Sequence, residues 1–79
     1  MKTKVRELRK AAGLTQYQLA DMVHVTSRTI VSLERGHYRP SLMLAYRLAL
    51  VFDVSIEELC CLQENKALED EQYENIQNI

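Results

Sequence analysis

Seventy-nine residues make one small domain that buries only about 60% of its unfolded surface, so a staple or a partner is expected to support it. The two cysteines, Cys60 and Cys61, are adjacent, where an intrachain disulfide is strained, and with only His24 and His37 beside them they make no zinc site. The net charge of −1 conceals an asymmetry: residues 1–47 carry nine Lys or Arg against three acids (+6), and residues 48–79 one Lys against eight acids (−7), which suggests a polyanion-facing part and a segregated acidic tail.

Few glycines or prolines punctuate the chain and no β-branched alternating run appears, so helix is the default. Over about residues 3–12, Val5, Leu8 and Ala12 share one face, and Gly13 supplies a stop that takes positive φ, followed by Leu14. Thr15-x-x-Gln18 reads as a capping box for a second helix over about 16–23, with Leu19, Ala20 and Val23 inward. Thr26 caps a third helix from Ser27 to Arg35, which Gly36 ends. Two helices joined by so short a turn form a helix-turn-helix unit, with His24 where such a turn often has glycine. Pro40-Ser41 opens a fourth helix over about 42–52, and Ser55-x-x-Glu58 a short fifth near 56–60. The domain is expected to end near residue 62, with an acidic tail over 63–79.

The third helix carries the chemistry. At 100° per residue, Ile30 and Leu33 form an apolar stripe, while Ser27, Arg28, Val31, Ser32 and Arg35 form the opposite one. Hydroxyls, a methyl-bearing side chain and two guanidinium groups suit a DNA major groove, although any surface helix has a polar outer face. Glu34 falls at the edge of the buried stripe, where an unpaired carboxylate is costly.

The stretch LTQYQLADMVHVTSRTIVSLERGHYRPSL resembles the Cro and phage-repressor type of helix-turn-helix, the XRE family. The resemblance is carried by Leu14, Thr15, Gln16, Leu19, Ala20, Val25, Thr26, Thr29, Ile30, Glu34, Gly36, Pro40, Ser41 and Leu42, and by Val54-Ser55-Ile56-Glu57-Glu58-Leu59. It covers about residues 4–60; His24 in the turn and the tail beyond 62 depart from the pattern. It implies an all-α, five-helix Cro-like domain, with a short C-terminal strand or helix at the dimer interface. It implies base reading by Ser27, Arg28 and Ser32 with Val31 beside them, and phosphate anchoring by Thr15 and Gln16. Backbone tracking by Arg35, His37, Tyr38 and Arg39 follows from it too, as does an Arg9–Glu34 pair tying the first helix to the end of the third.

The fourth helix is apolar nearly all round. Leu42, Ala45, Leu48, Ala49 and Phe52 form the stripe expected to face the core, while Met43, Leu44, Leu50 and Val51 fall elsewhere and Arg47 is the only charge. Five small helices do not supply two cores, so a second copy is the natural cover for the other face, and repressors of the family are similar in dimerising near here. Cys60-Cys61-Leu62 is a candidate strand pairing across that dimer, although the two thiols also read as small buried hydrophobes. Tyr17, Tyr46 and Met22 are read as packing residues and the two histidines as surface ones. In the tail, acids and amides point to disorder, and the spacing of Leu68, Tyr73, Ile76 and Ile79 to a weak amphipathic helix as the alternative.

The leading functional expectation is a homodimeric repressor that binds double-stranded DNA without a cofactor. The alternative is an antitoxin whose acidic tail or fourth helix binds a basic toxin protein. No nucleophile–base constellation, glycine-rich phosphate loop or metal set argues for an enzyme. The N-terminus lacks the apolar stretch of a signal peptide, the apolar run Leu48–Phe52 is far short of the ~18 residues of a membrane span, and free thiols fit a reducing cytoplasm.

Overall fold

The computed structural model describes the backbone over residues 1–77 and the side chains over residues 1–73. Six helices and no strand are present among the described residues: α1 (Val5–Ala11), α2 (Gln16–Met22), α3 (Ser27–Glu34), α4 (Leu42–Phe52), α5 (Ile56–Leu59) and α6 (Leu62–Gln77). Each of α2 to α5 starts on a hydroxyl. Thr15, Thr26, Ser41 and Ser55 accept from the amides of Gln18, Thr29, Leu44 and Glu58, so each satisfies an amide that lacks an intrahelical partner. At α2 the capping box is complete, with Gln18 Oε1 accepting from the Thr15 amide at 2.9 Å.

The stops are equally regular. After α1, α2, α3 and α4 the chain enters the left-handed region at Gly13, His24, Gly36 and Asp53. The next amide in each case reaches back to close the end: Leu14 to the Arg9 carbonyl, Val25 to Ala20, His37 to Ser32 and Val54 to Ala49. This is the geometry of a Schellman motif. His24, at φ 61°, adopts it at the cost of Cβ crowding that glycine does not have. His24→Gly is therefore expected to stabilise the fold by up to about 1 kcal/mol. A thermal melt checks it, and an unchanged or lower midpoint would show that no strain is stored there.

The core gathers Val5, Leu19, Ala20, Val23, Ile30, Leu33, Leu44, Ala45, Leu48, Ala49, Leu59 and Cys60 from five helices. Ala12 lies outside it, because α1 ends one residue earlier and leaves Ala12 exposed at the stop. On α4 the inward stripe is rotated from the expected one. Leu44 is buried at 5% exposure, whereas Leu42 is 77% exposed in the first turn. Leu44 thus belongs to the chain's own core rather than to an intermolecular face, and Val51 is half-buried against that same core. Phe52 also packs there, as expected. Tyr17, Met22 and Tyr46 are exposed rather than packed.

The C-terminal segment differs most from expectation. Cys60 and Cys61 form no strand and no outward face: both are buried free thiols, and Cys61 turns the chain at φ 47° into α6. Burial pushes the Cys60 thiol above its ordinary value, as befits a packing residue. The 16-residue α6 replaces the expected disorder. Its root is held by Asn65, a buried amide whose Oδ1 accepts from the Lys2 amide at 3.1 Å. Asn65 Nδ2 donates to the Lys2 carbonyl at 2.8 Å and to the Cys60 carbonyl at 2.7 Å. The two bonds to Lys2 join residues 63 positions apart, and the Lys4 amide adds another across to the Leu59 carbonyl at 2.8 Å. Of the apolar tail residues, Leu68 and Tyr73 are exposed, while the side chains of Ile76 and Ile79 lie outside the described residues.

Candidate nucleic-acid interface

Helix α3 is fixed from behind. Ile30 and Leu33 are fully buried, and among the described residues α2 packs along α3 more extensively than any other helix pair. That packing holds the opposite face outward, with Ser27, Arg28 and Arg35 exposed and Val31 and Ser32 half-buried. Neither Arg28 nor Arg35 has a hydrogen-bond or ion-pair partner among the described residues. Unpaired guanidinium groups on a rigid outer face are available to base edges or phosphates.

A buried polar junction locks α3 to α1 and α2. Arg9 Nε donates to Glu34 Oε2 at 2.6 Å and Arg9 Nη2 to Glu34 Oε1 at 3.1 Å, while Arg9 Nη1 donates to the Leu14 carbonyl at 2.9 Å. The two side chains are 12% and 4% exposed. Burial pushes the Glu34 carboxyl upward, but the hydrogen bonds from Arg9 and Gln16 and the charges of Arg9 and Arg6 outweigh it and hold the group below its ordinary value. The hydrogen bond from Arg9 to Glu34 raises the guanidinium in turn. Gln16 is drawn into this junction: its Nε2 donates to Glu34 Oε1 at 3.2 Å, so its amide ties α2 to α3. Thr15 uses its hydroxyl as the cap of α2.

Beyond α3, His37, Tyr38 and Arg39 are all exposed in the loop to α4, and Arg39 is paired with Glu69 of α6. A shallow cleft beside α3 is lined by Arg6, Arg9, Gln16, Val31, Glu34 and Arg35. Arg6 was not singled out in the sequence. Its signal was its position three residues before Arg9 on α1, which brings it to the same end of α3. The residues read as a second-copy face divide. Met43 and Leu50 are exposed, joined by Leu42 and Tyr46, and Leu62 is 40% exposed, whereas Leu44, Cys60 and Cys61 are buried within the chain. Among the described residues no cluster of His, Cys, Asp or Glu is placed to hold a metal ion, and no helix is long and apolar enough to cross a membrane.

A helix-turn-helix family model matches residues 5–59. The chain is 52% identical to an uncharacterized HTH-type transcriptional regulator of Archaeoglobus fulgidus, over 75% of this chain and 84% of that one. It is 41% identical to the competence pilus inhibition repressor of Acinetobacter baylyi, over 77% of this chain and 56% of that one. Among solved structures it is similar to the restriction-modification controller protein C.AhdI from Aeromonas hydrophila, at 34% identity and a TM-score of 0.64, covering 70% of this chain and 83% of that one.

Proposed function

The chain belongs to the helix-turn-helix family of transcriptional regulators, which are DNA-binding proteins and not enzymes, and from that membership we propose a homodimeric repressor that reads a near-palindromic operator with α3 in the major groove. The observation that carries the reading is the outer face of α3, where the unpaired Arg28 and Arg35 stand beside Ser27, Val31 and Ser32 on a helix fully buried behind. Arg28 pairs with a guanine edge through two parallel N–H donors, and Ser27 and Ser32 meet neighbouring bases. Arg35, His37 and Tyr38, together with the amides at the start of α2 beside Thr15 and Gln16, contact phosphates and set the register. The Arg9–Glu34–Gln16 junction holds the reading helix at its angle. Occupation of the operator blocks transcription, and the protein works in the cytoplasm.

Support for the dimer comes from Leu42, Met43, Tyr46 and Leu50, which sit 49–77% exposed along one side of α4. None of the described residues covers that surface, and a two-fold copy covers it while placing two α3 helices about one DNA turn apart. Sedimentation at micromolar concentration is expected to give a dimer for the native protein and a monomer for Met43→Glu with Leu50→Glu. A native monomer would overturn the dimer. An antitoxin role for the tail has less support, because only the acidic charge of the segment points to a basic partner.

A further inference from the structure

Not all the cations of residues 1–47 are free to meet a polyanion, because α6 engages two of them. Lys2 Nζ donates to Glu64 Oε2 at 2.7 Å, and the Arg39 guanidinium is paired with Glu69. Asn65 fixes the root of α6 by three hydrogen bonds to the backbone of Lys2 and Cys60. Glu69 stands four residues further on, about one helical turn along the same face. The anchored root therefore aims a carboxylate at the loop between α3 and α4.

We propose that α6 is an intramolecular acidic competitor of DNA, holding Arg39 against Glu69 and so lowering the affinity for the phosphate backbone. The inference rests on the DNA-binding reading above and adds a regulatory element to it. A carboxylate beside Arg39 takes N–H donors that a phosphate needs and cancels the positive charge that would meet it. Both partners are more than half exposed, so the pair opens readily in solvent and acts as a graded brake rather than a lock. A basic partner that captured α6 would release that brake.

The contact with phosphate is independent of sequence, so the test uses the full chain and a fluorescein-labelled random-sequence duplex, titrated at several salt concentrations. Glu69→Gln is expected to bind roughly two- to fivefold tighter at low salt, the scale of one exposed ion pair. The slope of log affinity against log salt is expected to steepen by up to about 0.9. Glu71→Gln removes the same charge two residues away, on the other side of α6, and is expected to bind like the native protein. In an Arg39→Gln background, Glu69→Gln is expected to add nothing. Native-like binding by Glu69→Gln overturns the proposal, as does an equal gain from Glu71→Gln or a gain that survives loss of Arg39. A native protein with no salt-dependent duplex binding at all contradicts the DNA reading itself, a result distinct from these.

Discussion

Glu34→Ala is expected to destabilise the protein by about 2–4 kcal/mol, with a fall in melting temperature of roughly 10 °C or more. The size follows from what remains. Glu34 is 4% exposed and receives both Arg9 and Gln16, so its removal leaves a guanidinium that is 12% exposed with one carbonyl acceptor, at Leu14, and strips Gln16 of its partner. Breaking one half of a buried pair costs more than the intact pair contributes, because the surviving charge still bears its desolvation. Glu34→Gln keeps an acceptor for Arg9 and is expected to fall between the two.

A pH signature accompanies this. The Glu34 carboxyl is held below its ordinary value in the fold, so the unfolded chain binds the proton more readily. The stabilisation is fully present above the unfolded value near pH 4.5 and is lost as pH falls through the lower folded value. Glu34→Gln removes that contribution, so its loss of stability relative to the native protein is expected to shrink below about pH 4. A difference that stays constant down to pH 2–3 would show that Glu34 is not held as an anion.

Arg28→Ala is expected to cost about 1–3 kcal/mol at the operator, roughly 5- to 150-fold in affinity, and to relax the preference at a single base pair. Arg28 is exposed on α3 and has no partner among the described residues, so on the proposed reading its truncation removes a DNA contact without disturbing the core. The expected pattern is therefore a loss concentrated on the operator, a smaller loss on random duplexes, and an unchanged melt. Equal losses on every sequence would move Arg28 from base reading to phosphate contact.

Helix starts and stops were legible because they are local. A hydroxyl before each of α2 to α5 and a turn residue after each of α1 to α3 place the boundaries within a residue or two of those observed. That Glu34 needs a partner was legible because a carboxylate at the edge of an apolar stripe demands a cation, and the family resemblance pointed to Arg9. The face of α4 was not: a helix apolar nearly all round has no strong polar side to orient it, so Leu42 and Leu44 exchange places relative to the expected stripe. Nor was α6, whose composition reads as solvated. Its order rests on Asn65 bonding to Lys2 far away in sequence and on a left-handed turn at the non-glycine Cys61, and neither signal lies within a local window. Gln16 shows a similar limit, since an exposed-looking amide at a helix start is taken up by a carboxylate 18 residues away.

Selection of bound duplexes from a random pool tests the DNA reading most directly, because it reports binding, specificity and symmetry together. The expected result is an enriched, near-palindromic site with two half-sites centred about 10 bp apart, whose preference at one position in each half disappears in Arg28→Ala. Failure to enrich any sequence, or enrichment of a single asymmetric site untouched by Arg28→Ala, would contradict a two-fold repressor that reads DNA with α3.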